Sequence, residues 1–193
     1  MPDSNEVWRL FFAIELPAEV RHKIGEHIEK LRAASPDVRA SWTRQDNLHL
    51  TMKFFGDVPV ADVKRISAAA ESAVASANSF ELIIGGCGGF PPKGQPRVLW
   101  IGTEDPSGTL PKLYTALENE CAAAGFPRAE RRYHPHLTIA RLRQPRGARD
   151  LATIHKDMGF DWTTVKVEEI CLVRSELSSQ GSRYTTLSRH RII

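Results

Sequence analysis

The chain has 193 residues, 41% of them hydrophobic and 25% charged, with a formal net charge of +3. That balance is ordinary for a soluble globular protein and excludes a disordered or low-complexity chain. The opening stretch MPDSNEVWRLFFAIELP carries only a short apolar run with acids on both sides, so neither a secretory signal nor a membrane span is expected and the cytoplasm is the default location.

Residues 9 to 16, RLFFAIEL, are rich in β-formers and lead into Pro17, a favoured first residue of a helix. Val20, Ile24, Ile28 and Leu31 then recur at helical spacing. Strands are predicted over 38 to 42, 48 to 54 and 80 to 85, with a helix near 60 to 76. GGCGGFPPKGQP, from 85 to 96, reads as a loop or mobile rim. The opening strand–helix pair then recurs. RVLWIG, from 97 to 102, is a strand, and Leu110, Leu113, Tyr114, Leu117 and Cys121 mark one helix face that Gly125 terminates. Strands are predicted again over 136 to 142, 164 to 174 and 183 to 188, with a turn at RQPRG, 143 to 147. The mixture predicts an α+β fold over one body, residues 1–193, without a long linker.

Cys87, Cys121 and Cys171 are far apart and fit no zinc spacing, so reduced, mostly buried thiols are expected, with Cys121 in the core. Arg128, Arg131, Arg132, Arg141, Arg143, Arg146 and Arg149 crowd one segment. Such an excess attracts a polyanion; a solvated arginine-rich surface is the alternative.

HLTM at 49 to 52 and HLTI at 136 to 139 repeat the pattern His, apolar, Thr, apolar, spaced by close to half the chain, as a duplicated unit would be. On a strand, side chains alternate, so His49 and Thr51 share one face while Leu50 and Met52 share the other. The second copy places His136 and Thr138 opposite Leu137 and Ile139 in the same way. A lone histidine on a strand is more often structural than catalytic, but two matched copies with apolar backing reverse that preference. Facing each other, they bring two imidazoles and two hydroxyls into one cleft. Phosphodiester chemistry needs a base for the attacking oxygen and an acid for the departing one, and two histidines supply both near neutral pH. The threonine hydroxyls donate to phosphate oxygens as charge accumulates. No metal or cofactor is required. His134 and His136 in YHPH share parity and suggest a metal pair, yet no carboxylate or cysteine cluster lies beside them in sequence.

Four segments, RLFFAIELP, NLHLTMKFFG, YHPHLTIAR and LVRSELSSQGSRYTTL, occur in an order that resembles the two-histidine phosphoesterases, closest to the RNA 2′,3′-cyclic phosphodiesterases, also called 2′-5′ RNA ligases. The resemblance covers nearly the whole chain. It implies a bilobal α+β fold, with two pseudo-symmetric antiparallel sheets and outer helices around a central cleft. It further implies hydrolysis of a 2′,3′-cyclic phosphate to a 2′-phosphate and reversible formation of a 2′-5′ linkage, with His49 as proton donor, His136 as proton acceptor, and Thr51 and Thr138 holding phosphate. RNA ends or 2′,3′-cyclic nucleotides would be the partners of a protein expected to be a monomer. The rival reading is an RNA-binding module that keeps the cleft without turnover.

Further candidates rest on position. Lys53 has the parity of His49 and Thr51 and so reaches toward the cleft edge, with a solvated lysine as the equal alternative; Arg141 has the opposite parity to His136 and meets phosphate only if the strand twists or ends before it. Phe11, Trp42 and Tyr184 are aromatics for stacking on a base, with core packing as the alternative.

Overall fold

Alternation of apolar and polar residues sorts the strands into two antiparallel sheets, each with one face covered by helices. The structure, a computed structural model, describes residues 6–179 and 181–193. Its elements are β1 (Val7–Glu15), α1 (Ala18–Ala34), β2 (Ala40–Trp42), β3 (His49–Pro59), α2 (Val63–Val74), β4 (Phe80–Phe90), β5 (Val98–Glu104), α3 (Thr109–Ala123), β6 (His136–Leu142), α4 (Ala148–Met158), β7 (Thr163–Val167), β8 (Glu169–Ser178) and β9 (Gly181–Arg191). The first sheet has the order β3-β1-β8-β9 and the second β2-β6-β5-β4-β7. With β2 set aside as an added edge, the two orders correspond strand for strand.

Each histidine motif opens the strand that follows a strand–helix pair: β1 and α1 precede β3, and β5 and α3 precede β6. The helices then pair across the halves. α2 packs on α3 and against β9 of the first sheet, whereas α1 packs on α4, which lies against β4 of the second. α1 begins after Pro17 and buries Val20, Ile24, His27, Ile28 and Leu31, the stripe its spacing predicts plus one histidine. The apolar backs of both motif strands, Leu50 and Met52 with Leu137 and Ile139, join one continuous buried cluster. Burying such side chains contributes about 1.5–3 kcal/mol each and fixes which face of each strand looks away from the core.

The glycine-rich run expected to be a loop is instead the second half of β4. Gly86 has φ +72 at the register shift against β5, so it forms a bulge that a side chain would strain. Gly88 is crossed by the Trp100 indole, and a Cβ there would lie 2.2 Å from that ring. Glycine here makes room for an aromatic cover and does not break the strand.

Two other elements depart from the sequence reading. The stretch predicted as one strand over 164 to 174 is two, β7 and β8, which belong to different sheets. α4 was not predicted: its inward face is only Ala148, Leu151 and His155, too short an apolar stripe to register. Cys121 and Cys171 are buried and Cys87 is half-buried, all three free thiols. Among the described residues no helix is long and apolar enough to cross a membrane.

Candidate active site

The two motif strands share an irregularity that controls what enters the cleft. In β3 the register against β1 steps from Ala13↔Thr51 to Phe12↔Lys53, leaving Met52 as an extra residue. In β6 the register against β5 steps from Trp100↔Thr138 to Leu99↔Ala140, leaving Ile139 as the extra one. Both bulges fall on the last residue of the motif. A bulge reverses the alternation beyond it, so Lys53 and Ala140 turn into the core, and Phe54 and Arg141 turn out to line the cleft.

The cleft between the motif strands has a volume of about 480 Å³ and is lined by His49, Thr51, His136, Thr138, Phe11, Phe54, Arg141 and Tyr184, among others. The Nδ1 atom of His49 lies 2.7 Å from the Asn47 carbonyl, and that of His136 lies 2.7 Å from the His134 carbonyl. A carbonyl only accepts, so both imidazoles carry their proton on Nδ1 when neutral and keep Nε2 for other partners. In each case the carbonyl belongs to the residue two places upstream. The Nε2 atom of His49 is 3.0 Å from the Thr51 hydroxyl oxygen.

Rings enclose both imidazoles. Phe11 stacks on His49 with centroids 4.7 Å apart, and Tyr184 meets it edge-on at 5.4 Å. Phe90 meets His136 edge-on at 5.0 Å. Burial therefore holds both histidines below their ordinary range. For His49 the Asn47 carbonyl and Glu15 oppose that effect, while the charges of Arg141 and His136 add to it. For His136 the His134 carbonyl opposes it, and His134 and Arg141 add. Arg141 thus acts on both imidazoles.

The position-based candidates divide. Lys53 does not reach the cleft: it is 4% exposed, and its ammonium donates to the Glu118 carboxylate at 2.7 Å and to the Pro127 carbonyl at 2.8 Å. The Met52 bulge is the physical reason. Arg141, which simple alternation directs away, lines the cleft because of the Ile139 bulge. Phe11 is only 3% exposed, so it backs His49 and offers a base almost no surface. Tyr184 is half-buried at the wall, and Trp42 lines a separate groove with Arg39 and Arg143. The arginine-rich segment is not one patch. Arg128, Arg131 and Arg132 border a groove with Tyr114 and Tyr133, whereas Arg143 bonds Ser41.

Sequence reasoning missed several lining residues. Thr43 donates its hydroxyl to the Thr138 carbonyl at 2.8 Å, tying the two motif regions together. Asn47 donates its amide to the Ser182 carbonyl of β9 at 2.8 Å, so the residue that orients His49 is itself held by the far hairpin. Arg9 lies over the exposed Phe54 ring, 4.8 Å from its centroid, at the mouth. Position marks none of them; only Phe54 carried a signal, as the counterpart of Arg141 five residues after each histidine.

A family model described as the 2′-5′ RNA ligase superfamily matches residues 20–178. The RNA 2′,3′-cyclic phosphodiesterase of Methanothermobacter thermautotrophicus is 34% identical over 185 residues, 95% of this chain and 98% of that one. The Escherichia coli protein of the same name is 33% identical over 185 residues, 96% of this chain and 97% of that one. Among solved structures, E. coli LigT complexed with 3′-AMP aligns with a TM-score of 0.74 at 30% identity, covering 97% of this chain and 99% of that one. The Thermus thermophilus protein TT0787 aligns with a TM-score of 0.77 at 27% identity, covering 95% of this chain and 97% of that one.

Proposed function

Since the chain belongs to the 2′-5′ RNA ligase superfamily, we propose that His49 and His136 are the acid–base pair with which it opens RNA 2′,3′-cyclic phosphates. Its activity is that of an RNA 2′,3′-cyclic phosphodiesterase, the name its relatives carry over nearly their whole length. A binding module without turnover is not favoured. The observation that carries the assignment is the matched tautomer: each Nδ1 is committed to a backbone carbonyl, so each Nε2 is the atom left to move a proton.

In this reading His136 takes a proton from water as its oxygen attacks phosphorus, and His49, protonated, delivers one to the departing 3′ oxygen, leaving a 2′-phosphate. Thr51 fits the donor side. When Nε2 of His49 is protonated it points at the Thr51 oxygen, and the Thr51 hydroxyl proton is then free to donate to a phosphate oxygen. Thr138 and Arg141 receive the remaining charge. The same steps with a 5′-hydroxyl attacking in place of water, the 3′ oxygen again departing, form a 2′-5′ linkage. Both motifs lie in one chain, which supports a monomer as the working unit, residues 1–193, with RNA ends or 2′,3′-cyclic nucleotides as ligands and Tyr184 and Phe54 as the surfaces open to a base. The test is a short RNA ending in a 2′,3′-cyclic phosphate: a 2′-phosphate product supports the assignment, and a 3′-phosphate or no product overturns it.

The rate is expected to be bell-shaped in pH, with its maximum on the acid side of the ordinary histidine value, about 6.5. His49 must hold a proton, so activity falls as pH rises; His136 must be free of one, so activity also falls as pH drops. Both groups are held below their ordinary range by burial, so both limbs of kcat/KM in the free enzyme move to lower pH. Replacing His136 should remove the acid limb of the residual rate and replacing His49 the basic one. A profile flat from about pH 5 to 9 would sink the paired mechanism. Treatment with a chelator is expected to leave the rate unchanged, because proton transfer and charge stabilisation are assigned to side chains; loss of rate restored by zinc or manganese would contradict this.

A further inference from the structure

Beyond the cleft, three groups far apart in sequence converge where α1 and α4 lie on the second sheet: His27 of α1, Cys87 of β4 and His155 of α4. Their ligand atoms all lie within 4.8 Å of one another. We propose that His27, Cys87 and His155 form a binding site for a zinc-class divalent cation, distinct from the catalytic cleft.

The two imidazoles already face each other through their ring nitrogens. His155 Nε2 lies 3.0 Å from the Trp100 carbonyl, which forces that nitrogen to be the donor and leaves Nδ1 with its lone pair. That lone pair faces Nε2 of His27 at 2.9 Å. Two nitrogens ligating one tetrahedral zinc stand about 3.3 Å apart, so the pair needs to open by a few tenths of an ångström while each ring turns its lone pair from its neighbour toward the ion. His27 then moves its proton from Nε2 to Nδ1, a change of tautomer without a change of charge. The Trp100 carbonyl plays the part that outer-shell carbonyls play behind ligating histidines, holding the ring and its tautomer in place.

Cys87 completes the set. A hydrogen-bonded histidine pair accounts for the two imidazoles but not for a thiol whose sulfur sits within ligand reach of both. A bound cation would draw the proton off the Cys87 thiol as its sulfur ligates. Two nitrogens and one sulfur in a tetrahedral arrangement favour zinc or a close relative over magnesium or calcium, with water in the fourth position. The Phe160 ring stands edge-on to His27 at 5.6 Å and forms an apolar wall beside the set. An ion here would tie α1, α4 and β4 together next to Trp100, the residue paired with Thr138.

The test uses the purified full chain stripped of metal with a chelator and titrated with Zn²⁺, with Co²⁺ as a spectroscopic stand-in. One equivalent should bind, Co²⁺ should give a sulfur-to-metal charge-transfer band, and Tm should rise by about 5 to 10 °C at a hundredfold excess over Kd. Cys87→Ser should abolish the band and most of the rise while keeping cyclic-phosphate hydrolysis within about twofold. His27→Gln, which leaves the thiol in place, should weaken zinc binding by at least about tenfold. Absence of the band and of the Tm rise in the wild type would overturn the proposal. So would their persistence in Cys87→Ser, which would put the ion on another thiol, for instance Cys171 beside Glu15 and Glu169.

Discussion

Replacing either His49 or His136 by Ala is expected to lower turnover of a 2′,3′-cyclic phosphate by at least about a hundredfold, while the protein stays folded. A hundredfold is about 2.7 kcal/mol of barrier, the scale of removing one general acid or base. The structural cost is smaller. His49→Ala forfeits the hydrogen bonds to Asn47 and Thr51 and the ring contacts with Phe11 and Tyr184, together about 2 kcal/mol, or several degrees in Tm. His136→Ala forfeits the bond to the His134 carbonyl and the edge contact with Phe90, at a similar cost. Circular dichroism melts run beside the kinetics separate the two effects. Turnover within about tenfold of wild type in a folded His136→Ala protein would remove that side chain from the chemistry.

Much of this site was legible in the chain because its chemistry repeats. Two copies of one tetrapeptide, each with apolar residues at alternate places, determined which faces met and which four side chains shared a cleft. Alternation failed one residue beyond the motif. It directed Lys53 into the cleft and Arg141 away from it, and the bulges at Met52 and Ile139 do the reverse. Nothing local in MKFF or IARL announces a bulge, because it is set by how the neighbouring strand pairs. The glycine-rich part of β4 was illegible for a related reason: whether glycine breaks a strand or makes room for Trp100 depends on a residue from another strand. The convergence of His27, Cys87 and His155 is the extreme case, since it exists only once α1 and α4 lie side by side on β4.

A second large effect is expected at Lys53, which lies in the core and not in the cleft. Lys53 and Glu118 form an ion pair with side chains 3% and 7% exposed, and the pair also holds the chain that leads to the second motif: Lys53 donates to the Pro127 carbonyl, and the Ala129 amide donates to the other Glu118 oxygen at 2.9 Å. Lys53→Met keeps the apolar stem and deletes the ammonium, leaving a carboxylate in the core without its cation. Breaking a buried pair from one side costs about 3–5 kcal/mol, a large share of the roughly 5–15 kcal/mol that holds a domain folded. The double variant Lys53→Met with Glu118→Gln buries no charge, and its amide still accepts from Ala129, so it should recover at least half of that loss despite the undonated Pro127 carbonyl. Urea unfolding of the wild type, both single variants and the double variant closes the cycle and reports the coupling directly. If Lys53→Met unfolds within about 1 kcal/mol of the wild type, the pair is not the clamp that its burial implies. Lys53 would then be better sought at the cleft edge, where simple alternation had put it.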